Sequence, residues 1–190
     1  MTPLGTASRG RLPPVFNGGL WIWNRDVRNW VNPHHWNQQM SFWCLPAAGR
    51  SDLLEPYLRT YDDLKPHALA ATRERGYQGL RWAEQHDYSG RQLALDSSSF
   101  ATDHTPAAQI ALFYWWHYRY SGDLEGFLTR GLPFIEAVGD FYLGLLQWNE
   151  ARGEYEVPLA STYEDERPWR FTNSITNLAM ARTIFGILVR

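Results

Sequence analysis

Apolar residues recur at helical spacing over most of the chain beyond residue 34. Trp36, Met40, Trp43 and Cys44 fall at i, i+4, i+7 and i+8 and predict a first helix, with Gly49 where a helix C-terminus favours glycine. Ser51 followed by Asp52 reads as the start of a second helix. Its stripe is Leu54, Tyr57, Leu58, Tyr61, Leu64, Ala68, Leu69 and Thr72, with a kink expected at Pro66 and an end at Gly76. Thr105-Pro106 opens a third helix, and the run 107–120 is apolar on nearly every face, which predicts burial all round. After the Ser121-Gly122 turn, Asp123 can cap a fourth segment, with a break expected at Gly131-Leu132-Pro133. Phe134, Ile135, Val138, Phe141, Tyr142, Leu145 and Leu146 then form a one-sided stripe. Residues 150–159 alternate around Arg152-Gly153 and predict a short hairpin. A last helix is expected from Ser174 onward, with apolar Ile184, Phe185, Ile187, Leu188 and Val189.

Residues 1–15 are polar and rich in Gly and Pro, and read as a loose N-terminal segment. The stretch 16–32 has no period, and with its tryptophans it reads as an ordered loop. Short turns at Gly49-Arg50 and Ser121-Gly122 join helices in pairs, and long loops separate the pairs. If helices alternate in direction, the long loops 21–35, 77–104 and 148–170 share one face, and long loops in compact domains are usually functional. Pairs of one helix buried all round and one amphipathic helix describe an all-α, (α/α) barrel. About two and a half helical hairpins and a small β-hairpin fit into residues 16–190, so the expected fold is part of an (α/α)6 toroid, a truncated single domain.

Composition narrows the function classes. The chain has 190 residues, 44% of them hydrophobic, which suits one globular domain. Net charge is −2 with no basic stripe, so no nucleic-acid partner is expected. No run of about 18 apolar residues is present, so no membrane span is expected. The first 20 residues show no apolar core of a signal peptide, and export and a cytoplasmic location both fit. A single cysteine, Cys44, excludes an internal disulfide framework. The 10 Trp, 10 Tyr and 9 Phe supply flat apolar faces suited to packing or to stacking on sugar rings. The pattern says nothing about oligomeric state.

Three segments can carry chemistry. In the first, His34, His35, Trp36 and Asn37 stand at a helix start, where they can hold water and hydroxyls or simply satisfy the loop backbone. Adjacent histidines in extended chain point opposite ways, and neither a HExxH nor a His-x-His motif accompanies them, so no metal is expected. In the second, Trp82 with Glu84, His86 and Asp87 reads either as a sugar platform beside hydrogen-bonding groups or as a solvated loop. In the third, Glu164 lies between Tyr163 and Trp169; a carboxyl in aromatic surroundings suits a general acid, while an acidic surface loop has the same charge pattern. Trp23 and Trp30 add further candidate stacking faces.

Taken in order, six stretches resemble a known family. They are Gly19-Leu20-Trp21, Asn37-x-Gln39-Met40-x-x-Trp43, Leu54-Glu55-Pro56, Gly76-Tyr77-Gln78-Gly79, Tyr118-Arg119-Tyr120-Ser121-Gly122-Asp123 and Ser161-Thr162-Tyr163-Glu164-Asp165. Together they resemble the catalytic domain of glycoside hydrolase family 95, the α-L-fucosidase group of the six-hairpin glycosidases. The resemblance implies inverting hydrolysis of a terminal α-L-fucosyl or α-L-galactosyl-like residue, without a cofactor. It implies that Glu164 is the general acid and that Asn37 is one of a pair of asparagines that, with an aspartate, activate water. The second asparagine falls on His35, and a proline of the acid loop is replaced by Tyr163. The aspartate lies beyond residue 190. The contrasting class is a non-catalytic α/α-barrel module that binds carbohydrate or another protein, for which the aromatic loops alone suffice.

Overall fold

A computed structural model describes residues 34–87, 89–93, 102–158, 160–161 and 171–190. Helix α1 (His35–Gln39) is a single turn. The first helix was expected to continue to Gly49; instead residues 40–49 form successive tight turns. Phe42 N–H bonds the Gln39 carbonyl at 2.8 Å and Leu45 N–H that of Phe42 at 3.1 Å, three residues back rather than four. Pro46 has no N–H with which to continue an α-helix. Gly49 ends the segment at φ +67.

Helix α2 (Ser51–Glu74) runs through Pro56 and Pro66 without a break. Its buried face, Leu53, Leu54, Tyr57, Leu58, Tyr61, Ala68 and Thr72, largely follows the expected stripe. Gly76, at φ +82, lets the chain turn back, with its N–H on the Arg73 carbonyl at 2.9 Å. Helix α3 (Pro106–Ser121) carries Pro106 at its start and Gly122 in the left-handed conformation at its end. From Ala107 to Tyr114 nearly every residue is buried, but the expected burial all round does not extend to 115–120, where Trp115, Trp116, His117 and Tyr118 are half-buried and Arg119 and Tyr120 exposed, because the helix end runs out past the neighbouring elements into solvent.

Asp123 accepts the Gly126 N–H at 2.9 Å and starts α4 (Leu124–Gly126). A π-helical turn (Phe127–Gly131) and α5 (Leu132–Leu145) follow directly. The expected break at 131–133 is therefore absent. Pro133 offers no N–H to the Thr129 carbonyl, and the backbone widens, with Leu132 N–H bonded to Phe127 O five residues back. A hairpin of β1 (Gln147–Asn149) and β2 (Glu154–Glu156) pairs Trp148 with Tyr155, starting three residues earlier than the pattern suggested. Helix α6 (Ile175–Leu188) closes the chain, with the Ser174 side chain accepting Asn177 N–H.

Helix α3 lies in the middle, packed on α2, on the π turn, on α5 and on α6. The core is aromatic: Tyr57 touches Phe42, Tyr61 and Phe113 with ring centroids 5.0, 4.8 and 4.6 Å away, and Tyr61 touches Trp82 at 4.9 Å. Each such ring, wholly removed from water, contributes about 1.5–3 kcal/mol. This continuous core reaches from α2 to the long loop behind it, and so fixes that loop against the helices.

Candidate active site

Hydrogen bonds bring the described parts of the three long loops to one end of the helices. The backbone at His34 pairs with Gln85 in an antiparallel bridge, and His35 N–H donates to the Glu84 carbonyl at 2.8 Å. The Glu84 carboxylate accepts the Trp36 N–H at 2.9 Å, which joins the second loop to the start of α1. Thr102 and Ser161 share a hydroxyl–hydroxyl bond of 2.7 Å, and Ser161 N–H donates to the Thr102 carbonyl at 3.2 Å. The second and third loops are thereby joined as well.

On α1, His35 and Gln39 are one turn apart and face the core. His35 is fully buried. Its Nε2 lies 3.1 Å from Gln109 Oε1, and its Nδ1 lies 3.4 Å from the Tyr61 hydroxyl. Burial lowers its pKa to about 3, so the ring is neutral at pH 7. Gln109 Oε1 can only accept, so Nε2 carries the proton and Nδ1 accepts from Tyr61. Trp36, Asn37 and Met40 occupy the outward side: Trp36 and Met40 are exposed, with Trp36 edge-on to Trp43 at 5.4 Å, and Asn37 is half-buried.

The second loop sits deeper than an open sugar platform. Trp82 is 0% exposed between Tyr61 and His86, so it offers no face to a ligand. His86 is buried, its Nδ1 donating to the Asp87 carbonyl at 2.9 Å, and burial lowers its pKa. His34 is buried beside it and is likewise lowered, by burial and then by His86. The Asp87 carboxylate accepts the Ser89 hydroxyl and the Ser89 and Arg91 N–H groups. Those bonds, led by the Ser89 hydroxyl, hold it below the usual carboxylate range. Its geometry is that of a turn-forming residue.

Glu164, Trp23 and Trp30 lie outside the described residues. The base of the Glu164 loop is described: Ala160 and Phe171 exchange two backbone bonds of 3.0 Å, and Asn177 Nδ2 donates to the Ser161 carbonyl at 3.3 Å. Among the described residues no group of His, Cys, Asp and Glu is disposed to hold a metal ion, and no helix is long and apolar enough to cross a membrane.

Residues 4–189 match the model of the glycosyl hydrolase family 95 catalytic domain. The chain belongs to that family. It is also similar to the kojibiose hydrolase of Flavobacterium johnsoniae, 26% identical over 83 residues, which is 43% of this chain and 12% of that protein. A solved structure of a candidate kojibiose phosphorylase from the human microbiome superposes with a TM-score of 0.65 at 14% identity, over 73% of this chain and 20% of that one. The fold is therefore that of a partial (α/α)6 toroid, and the chain spans a fifth or less of the length of these relatives.

In this family 95 domain, two features escape the pattern-based reading. Gln109 is the lone polar residue in the run Ala107-Ala108-Gln109-Ile110-Ala111, and that isolation was the available signal. The other is the set Arg81, Asp103 and His104, of which Arg81 and His104 are buried. Arg81 Nε donates to His104 Nδ1 at 3.2 Å and Arg81 reaches the Asp103 carbonyl at 3.1 Å. Its members are scattered over 23 residues, and no spacing marks them.

Proposed function

We propose that residues 16–190 form part of the catalytic domain of an inverting glycosidase. The observation that carries this reading is the family match over residues 4–189. The joined loops support it, because they put the helix bearing Asn37 and the base of the Glu164 loop at one end of the molecule. An inverting mechanism needs two groups about 6.5–9.5 Å apart across the sugar, one to protonate the leaving oxygen and one to activate water. In this proposal Glu164 is the acid, and Asn37 holds the water together with an aspartate supplied from outside these residues. Trp36 presents an open face to sugar. Trp23, Trp30, His34, Glu84, His86 and Asp87 line or support the pocket, and Trp82 supports it from the core.

The favoured substrate is a terminal α-L-fucosyl or α-L-galactosyl-like residue on an oligo- or polysaccharide. Kojibiose enters as the alternative, from the names of the two relatives. The test is hydrolysis by the complete protein of α-L-fucosides, α-L-galactosides and kojibiose, with the anomer of the released sugar followed by NMR. An inverted anomer is expected; a retained one overturns the mechanism. Glu164→Gln is expected to lower turnover by about 10²–10⁴-fold on natural linkages and far less on aryl glycosides, whose leaving group needs little protonation. Equal loss on both removes Glu164 from the acid role.

A further inference from the structure

We propose that Gln109 is a positioning residue for Asn37, acting through His35 and Gln39. The inference deepens the glycosidase reading and rests on it for the role of Asn37. Helix α1 has five residues, and its N-cap side chain does not cap the helix. A helix that short has no stability of its own and takes its orientation from what holds it. Glu84 holds its start by two bonds, the carbonyl to His35 N–H and the carboxylate to Trp36 N–H. That pins one end, and the roll of the helix about its axis is set by its inward side chains, His35 among them, whose Nδ1 accepts from the Tyr61 hydroxyl at 3.4 Å.

Gln109 ties two of those side chains together. Its Oε1 accepts from His35 Nε2 at 3.1 Å and from Gln39 Nε2, the two inward side chains one turn apart. Its own Nε2 donates to Thr105 Oγ1 at 3.1 Å. Thr105 is fixed in turn by Asp103 Oδ1, 2.9 Å from both its N–H and its hydroxyl. The polar face of α1 is thus locked to the start of α3, which is buried between α2, α5 and α6. Two bonds on one face of a helix set the direction of the opposite face, and Asn37 is about 200° around the axis from both His35 and Gln39. Because His35 is sealed in the core as a neutral ring, it works through Asn37 and does not meet a sugar itself.

The test uses the complete protein and two readouts: hydrogen–deuterium exchange of the peptide covering 35–40, and steady-state kinetics. Gln109→Leu removes the shared acceptor. It is expected to raise uptake across 35–40 while leaving α2 and α5 unchanged, and to lower kcat by about 10-fold or more with KM within about two-fold. Gln109→Glu keeps an oxygen for both donors but loses the Nε2 donor to Thr105, and is expected to restore protection and kcat in part. Its carboxylate raises the His35 pKa, which adds a new acidic limb to the pH profile. Should Gln109→Leu fail to fold, Gln39→Met removes one arm of the clamp and carries the same expectations at smaller size. Unchanged uptake across 35–40 in these variants overturns the proposal, and so does uptake raised evenly over the whole chain. Failure of the glycosidase reading looks different: Asn37→Ser keeps full turnover, or no glycoside is cleaved, while the local rise in uptake with Gln109→Leu still supports the clamp.

Discussion

His35 and His104 are each held neutral by burial, with pKa values lowered to about 3; for His104 the Arg81 guanidinium adds to the effect. Arg81 Nε donates to His104 Nδ1, so a proton on that nitrogen would break the bond and place two positive charges side by side. The unfolded chain protonates both rings near pH 6.5. Between pH 6.5 and 3 the unfolded state therefore binds protons that the folded state refuses, and stability falls as pH drops through that window. The expected slope is about 1.4 kcal/mol per pH unit for each ring, with none above pH 7. The buried Asp103 carboxyl, raised by desolvation, partly offsets this at the acid end. Chemical denaturation of the complete protein at pH 8, 7, 6 and 5 checks the expectation: equal midpoints at 8 and 7, then a steady fall. A midpoint constant from 7 to 5 shows that the rings are not held neutral. At this scale the sequence was only half legible. The polar residues of the helix start stood out by type, yet type does not tell an outward Asn37 from an inward His35. That distinction comes from Gln109, 72 positions after Asn37 in the chain.

Elements were easier to read than residues, because periodicity and end signals are local. Helices α2, α3, α5 and α6 each follow an apolar stripe closed by glycine, proline or a capping side chain. One misreading has a local cause: Pro133 offers no N–H to the Thr129 carbonyl and widens a turn instead of ending a helix, whereas α1 already ends at Gln39, ahead of the residues that Pro46 can affect. The two glycines of Gly76-Tyr77-Gln78-Gly79 have separate duties that the motif alone does not reveal. Gly76 supplies the left-handed turn after α2, with open space around it. Gly79, at φ +71, lies so close to α5 that a Cβ would overlap the Ala137 carbonyl oxygen and the Phe141 nitrogen. There the loop docks on α5 through the Leu80 N–H and the Ala137 carbonyl, 2.7 Å apart. Gly79→Ala meets both backbone strain and collision and is expected to cost about 3 kcal/mol or more, against about 1 kcal/mol for Gly76→Ala. Thermal melts of the two variants rank them. An equal loss at both positions would mean that the loop simply moves away from α5.

The largest-scale feature is an apolar patch on α6 that stays exposed among the described residues. On one side of α6, Ile175, Leu178 and the C-cap Val189 are exposed, Ile175 at 79% and Val189 at 84%, with Phe185 half-buried against the core beside them and the exposed Arg182 between. The opposite face, Asn177, Ala181, Ile184 and Ile187, is buried. The helix packs on α5 and α3. A helix apolar on both faces belongs between two layers, and in a toroid that second layer is a further helix. Relatives several times longer than this chain have the residues to provide one. The 190 residues expressed alone are therefore expected to associate through this patch, since exposed apolar surface of a few hundred Å² drives self-association. They are also expected to cleave no glycoside, because in the proposed mechanism the aspartate that activates water is not among them. Light scattering on the isolated chain, with and without Ile175→Glu and Leu178→Glu, checks the first expectation, and a fucoside assay on the same samples checks the second. The paired glutamates should return the chain toward a monomer while leaving it inactive. A monodisperse, active monomer of the unaltered chain would mean that α6 needs no covering helix and that a base within these residues does the work.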